Sequence, residues 1–256
     1  MFNRRSAENL NAPKDDNKMD PSRRDFLGKA GKLAAGVLLS QSLGSLEGFA
    51  QEKTKSDKVL DFADNDFLKE RPWIETELNE FLKQQEASEI LGFDLSDQKH
   101  KIKIAMAESS VGLGLGTTFP NGDILINGFL FSDGDPRAYL LKDGFSEQDL
   151  KQKIFAQNLE LIEHLRAKPA LLKLYRDLTV AHEISHAGHK LGYAKEETGH
   201  GVTDRTEIRL ATALLKSGKI TPEAWEELFS LFSERINSAG ETPDEIEKYK
   251  KSVLNK

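Results

Sequence analysis

Residues 182–186 read His-Glu-Ile-Ser-His, and no other stretch restricts the fold and chemistry of this chain as tightly. On an α-helix, residues i and i+4 stand one above the other on the same face, so two imidazoles at that spacing can grip one metal ion. Glu183 projects beside them, placed to take a proton from a water on that ion. The pair needs a helix, and the surrounding pattern supplies one. Pro169 suits a first turn, Leu172, Tyr175, Leu178, Thr179 and His182 recur at helical spacing, and Gly192 suits a stop. The chain has only six histidines, and His182, His186, His189 and His200 are four of them. The plainer alternative is two solvated histidines on a charged helix.

Composition narrows what can complete such a site. Cysteine is absent, so disulfides, thiolate chemistry and Cys-ligated zinc are excluded, and a metal must rely on His and carboxylate ligands. Hydrophobic residues make up 38% of the chain and charged residues 30%, with a formal net charge of −6, as expected of a soluble globular protein. The mild acidity and the lack of a basic stripe with interleaved aromatics argue against nucleic acid as a partner.

The N-terminus carries a second signal. Ser22-Arg23-Arg24-Asp25-Phe26-Leu27-Gly28-Lys29 resembles the bacterial twin-arginine (Tat) export motif. The apolar run from Ala30 to about Leu46 is too short and too polar for a stable membrane span, which needs about 20 predominantly apolar residues. Gly48-Phe49-Ala50 then offers small residues for a signal-peptidase cut after Ala50. Residues 1–50 are therefore read as a Tat signal peptide, with Met19 as an alternative start. An uncleaved anchor and an incidental amphipathic helix stay open. The motif implies the Tat machinery as a partner and a periplasmic or secreted protein.

Residues 51–256 are long enough for one domain with a substantial core. Residues 51–64 are polar and linker-like, or a loosely held first helix. Residues 67 to about 91 read as helical, with Pro72 suited to a first turn and Trp73, Leu78, Phe81 and Leu82 at helical spacing. Lys101 to Met106 alternates like a strand with one buried face, Pro120-Asn121-Gly122-Asp123 is a turn signal, and Ile124–Asn127 is a second strand. Residues 101–131 thus predict a small antiparallel sheet. Ile124–Asn127 is either a plain core strand or one that offers an edge to an extended substrate. Gly112-Leu113-Gly114-Leu115-Gly116 reads as a bend or mobile loop, since it lacks the Lys-Ser/Thr pair of a P-loop. Ser146 with Asp149 predicts a capping box opening a helix to about Ala167. Thr221-Pro222 and Thr242-Pro243 each predict an N-cap followed by an N1 proline. The fold class is α+β, mainly helical, with the sheet preceding the motif helix.

Catalytic zinc sites have three protein ligands plus water, so two histidines need a third partner. The pattern with a third histidine six residues on is not met, because position 192 is glycine. His189 shares a face with the pair, but a third ligand on one straight helix is poorly placed to complete a tetrahedron. Glu207 opens the next apolar-periodic helix, from which its carboxylate can reach the same ion. The alternative for Glu207 is an ordinary glutamate favoured by the helix dipole. Here the sequence resembles the gluzincin group of zinc peptidases, over about forty residues from Arg176 to Leu215. Many gluzincins carry an aspartate four residues after the glutamate, and this chain has Ala211 there. Asp204 is an alternative ligand or support, and His200 another ligand.

The resemblance implies a zincin-like domain holding one Zn2+ on His182, His186 and Glu207. It implies peptide or protein substrates, Glu183 as general base, and His200 or Tyr193 as oxyanion donor. Two other classes stay open: a zinc-binding interaction protein without turnover, and a metallohydrolase of non-peptide amides or esters.

Overall fold

Ile124–Asn127 buries all four of its residues, three of them apolar, and that continuous buried run decides how the sheet is built. A strand buried on both faces belongs in the middle of a sheet rather than at its rim. The computed structural model describes residues 60–95, 97, 101–108, 115–194, 201–234 and 241–255. The expected export signal over residues 1–50, residues 51–59, Gly112 to Gly114 and His200 lie outside the described residues. Within them the chain is α+β and mainly helical.

The strands are β1 (Asp61–Phe62), β2 (Lys103–Ala107), β3 (Gly116–Thr118) and β4 (Ile124–Asn127), in the order β1-β2-β4-β3. β1 pairs with β2 and β2 with β4 in parallel, and only β3 runs antiparallel to β4. The sheet is therefore mixed, which corrects the antiparallel expectation. β4 takes the centre beside β2 because Ile124, Leu125 and Ile126 are apolar and all four residues are buried, and the polar Gly-Thr-Thr of β3 is left at the rim. Ile124–Asn127 thus has no free edge and is a core strand. A second correction concerns the linker-like stretch, since Asp61 and Phe62 pair with Lys103 and Ile104.

The turn at Pro120 forms as its residues dictate. Gly122 is left-handed at φ 85°, its N–H donates to Phe119 O at 3.0 Å, and Phe119 N donates to Asp123 O at 2.8 Å. This is a three-residue hairpin with glycine in the left-handed position.

The first helices are α1 (Asp66–Lys69), α2 (Trp73–Leu82) and α3 (Gln85–Leu91). The stretch expected to be helical from 67 to about 91 is so in three pieces, one of them starting after Pro72. Pro72 forces a restart, because it lacks the N–H that would continue the preceding turn. Gln84 is extended at ψ 144° and makes the second break. After β4 come α4 (Pro136–Lys142), α5 (Glu147–Leu150) and α6 (Lys153–Arg166). The Ser146–Asp149 capping box is present, but Gln152 is extended and divides the expected helix in two.

α7 (Pro169–Lys190) carries the His182–His186 motif, followed by α8 (Thr206–Lys216), α9 (Pro222–Glu234) and α10 (Pro243–Leu254). α7 packs against β3, β4 and α8. Tyr175 of α7 stacks on Phe232 of α9 at 4.6 Å, and Trp225 of α9 donates from Nε1 to Thr212 of α8 at 3.0 Å. One hydrophobic cluster runs from Leu60 to Val253 and takes buried side chains from β2, β4 and each of the helices α1 to α10. No described helix is long and apolar enough to cross a membrane.

Two positions on α7 give measurable consequences. A Cβ at Gly188 would stand 2.3 Å from Phe93 Cε1. Gly188→Ala should cost about 1–3 kcal/mol in urea unfolding, with part recovered when Phe93 is also cut to Leu. Equal midpoints for wild type and Gly188→Ala would refute this contact. Asp177 is 2% exposed, and Lys173 Nζ donates to its Oδ2 at 3.0 Å. Among the described residues its Oδ1 has no hydrogen-bond partner. Burial pushes this carboxyl up from 3.8 to about 6, against the opposing pull of Lys173 and Arg176. Between those values the folded state binds the proton more tightly than the unfolded chain. Stability therefore falls as pH rises through about 6 and is greatest below 3.8. Asp177→Asn should stabilise the fold above about pH 7 by up to about 3 kcal/mol and remove that slope from denaturation curves.

Candidate metal and catalytic site

The site forms where the middle of α7 meets the sheet rim on one side and the start of α8 on the other. His182 and His186 are half-buried on the same face, with their Nε2 atoms 3.0 Å apart. Two nitrogens each about 2.0–2.1 Å from a shared zinc ion can stand at most about 4.2 Å apart, so this spacing admits one ion. The donor chemistry fits as well, since imidazole is a preferred zinc ligand and the chain has no thiolate to compete. The two histidines suit the metal as two of its ligands.

Glu183 turns from that face toward β3. It is 7% exposed, and Thr118 Oγ1 donates to its carboxylate at 2.6 Å and is 3.0 Å from its main-chain oxygen. Gly116 allows this approach: a Cβ there would lie 2.7 Å from Glu183 Cγ and 2.8 Å from Oε1. Burial raises the Glu183 carboxyl above its ordinary value, with the Glu207 charge adding to it and His182, Thr118 and Lys190 opposing. The arrangement yields a desolvated carboxylate fixed beside two imidazoles, with a heightened appetite for a proton.

Glu207 is buried in the first turn of α8 and faces His182 from the other side. Its Oε2 stands 2.7 Å from His182 Nδ1, close enough for an ion pair but off the line of an N–H···O hydrogen bond. Arg205, the N-cap residue of α8, holds Oε1 at 2.5 Å and Oε2 at 3.3 Å. Burial alone would raise the Glu207 carboxyl, but His182 and then Arg205 outweigh it and hold it at about 2. Glu207 therefore meets the ring of His182 at Nδ1, while Nε2 faces His186. Among the described residues, no group of three His, Cys, Asp or Glu side chains is gathered to hold a metal.

The remaining candidates are placed as follows. Asp204 is exposed on the turn into α8. Tyr193 follows the end of α7 with its ring 6.0 Å from that of Phe93, and its N–H donates to Gly188 O. His189 is exposed on the last turn of α7. A cavity of about 960 Å3 lies elsewhere, with Phe81, Leu171, Leu174 and Asp177 among its lining, and neither motif histidine lines it.

Sequence reasoning missed Gly116, Thr118 and Arg205. Arg205 has a signal in hindsight, a cation two residues before a glutamate at a helix start. Thr118 has none, because its partner is sixty-five positions away. Comparison with protein-family models, curated proteins and solved structures finds no match.

Arg205 and Glu207 form a pair that removal of one partner should expose. Arg205→Met leaves a buried carboxylate with only His182 beside it, and should cost about 3 kcal/mol in chemical denaturation. Glu207→Gln in the same background should recover part of that loss. A strictly additive double-mutant cycle would show that the two do not interact.

Proposed function

We propose that this chain is an exported zinc-dependent peptidase, with His182 and His186 holding the ion through Nε2 and Glu183 acting as general base. The observation that carries this reading is the convergence of the two Nε2 atoms at 3.0 Å beside a buried carboxylate fixed by Thr118. A scaffold without turnover has no chemical need for a carboxylate held there. The twin-arginine motif at Ser22–Lys29 supports delivery to the periplasm or beyond.

Bound zinc would supply Lewis acidity toward a peptide carbonyl and lower the pKa of water. Glu183 takes the proton of the attacking water and passes it to the leaving amine. Its burial raises its proton affinity toward the range a general base needs near neutral pH. Thr118 keeps the carboxylate from turning away. Glu207, backed by Arg205, orients the His182 ring through Nδ1, the side on which ligating histidines usually meet a carboxylate or carbonyl. Two completions of the ligand set are compatible with that position: Glu207 rotating from Nδ1 to the ion, or a ligand from outside the described residues such as His200. An extended peptide would lie along β3, the rim strand next to Glu183.

Zinc content and cleavage of a peptide library, measured together for wild type and Glu183→Gln, test the reading. Both proteins should bind one zinc, and Glu183→Gln should lose at least about 100-fold in kcat/KM. Zinc bound by both with no peptide cut by either would sink the peptidase assignment. Hydrolysis confined to non-peptide amides or esters would move the substrate class. Loss of zinc in Glu207→Ala, but not in Glu207→Gln, would favour Glu207 as ligand over His200.

A further inference from the structure

Among the described residues no strand pairs with the outer side of the rim strand β3, and a lysine is laid on it. On either side of β3, Leu115 O accepts from Asn127 N and Phe119 N donates to Asp123 O, and Thr117 is paired with Leu125 between them. Alternation along an antiparallel ladder turns the N–H and C=O of Gly116 and Thr118 outward. The outward carbonyl of Thr118 accepts a hydrogen bond from Lys190 Nζ at 2.6 Å. Its hydroxyl meanwhile holds Glu183. One residue of β3 therefore ties the general base with its side chain and a cation with its backbone.

Lys190 lies on the last turn of α7, four positions after His186, so it continues the metal-binding face toward solvent. It is exposed, and among the described residues Thr118 is its one hydrogen-bond partner and no carboxylate stands within ion-pair distance. An ammonium has three donors, so a single neutral carbonyl uses only part of its capacity. The other charges around the cleft are committed: Glu183 to Thr118, Glu207 to His182 and Arg205. A carboxylate on an incoming peptide would be repelled by Glu183 and Glu207, and along the outer edge of β3 the described side chain that attracts it is Lys190.

We propose that Lys190 is a specificity-determining residue whose ammonium, positioned at the outer edge of β3, recognises a carboxylate on the peptide laid along that edge. The carboxylate is either an Asp or Glu side chain or the peptide's own C-terminus. This rests on the peptidase reading and names its substrate class.

The test uses the zinc-loaded protein carrying Glu183→Gln, so that binding is read without turnover. Fluorescent peptides are offered in pairs: Glu against Gln and Asp against Asn at each position, and a free against an amidated C-terminus. Anisotropy should show the carboxylate member binding about 5-fold tighter, the size expected of a part-exposed ion pair. The pair that shows the difference identifies the source of the carboxylate. Lys190→Met should bring the ratio close to one, Lys190→Arg should keep most of it, and Lys190→Glu should favour Lys-containing peptides instead. With Glu183 intact, the preference should appear in KM rather than kcat. No preference in any pair, no peptide binding at all, or a preference that survives Lys190→Met would overturn the proposal. Lys190-dependent discrimination by a protein that cuts nothing would remove the peptidase reading and leave the carboxylate site standing.

Discussion

The contact between α7 and β3 fixes the site, because it decides where the Glu183 carboxylate can be. Thr118 Oγ1 reaches both the main chain and the side chain of Glu183, and glycine at 116 is what lets strand and helix come so near. In a packed interior such an approach is set by volume, since a single methyl in the wrong place displaces a neighbour by tenths of an ångström or more. The rest of α7 secures the register of that contact. Leu178, Ala181 and Ile184 are fully buried, and Tyr175, two turns before His182, is locked against Phe232. With the helix held, i and i+4 geometry puts both imidazoles on one face, and Glu207 meets the His182 ring at Nδ1.

Electrostatics divides the neighbourhood into two carboxylates with opposite fates. Glu183 loses water and gains one hydroxyl donor near its charge, so its proton affinity rises. Glu207 loses as much water or more, yet a guanidinium and an imidazole flank it and it stays ionised. Two glutamates pushed apart in this way can hold different roles at one pH, one exchanging a proton and the other serving as a fixed negative charge. The fixed charge is not wasted at the first turn of α8, where the helix dipole also favours it.

Much of this was legible in the residues where chemistry is local. The helix of the His182–His186 pair opens at Pro169, and Gly192 follows it in the left-handed conformation that suits a stop. The capping boxes at Ser146 and Thr242 and the Pro120–Asp123 turn also form where short-range rules place them. What the sequence hid depends on partners far along the chain. Parallel pairing of β2 with β4, and of the two-residue β1 with β2, leaves no local trace. The breaks at Gln84 and Gln152 occur without glycine, because tertiary packing overrode helical periodicity. At the site, the His182–Glu183–His186 spacing announced itself, whereas Thr118 and Arg205 became visible only once the strand and α8 were brought to the helix.

The short β3 rim also bears on how copies of this protein meet one another. An open strand edge is a template on which a second chain can extend the sheet, and proteins commonly blunt such edges with brevity and with lysine. β3 has three residues, of which two turn their backbone outward, and Lys190 lies over one of the carbonyls. A second copy that brings no carboxylate to Lys190 would find only two outward residues of ladder to grip. The rim can remain open at the surface without inviting self-association into larger sheets.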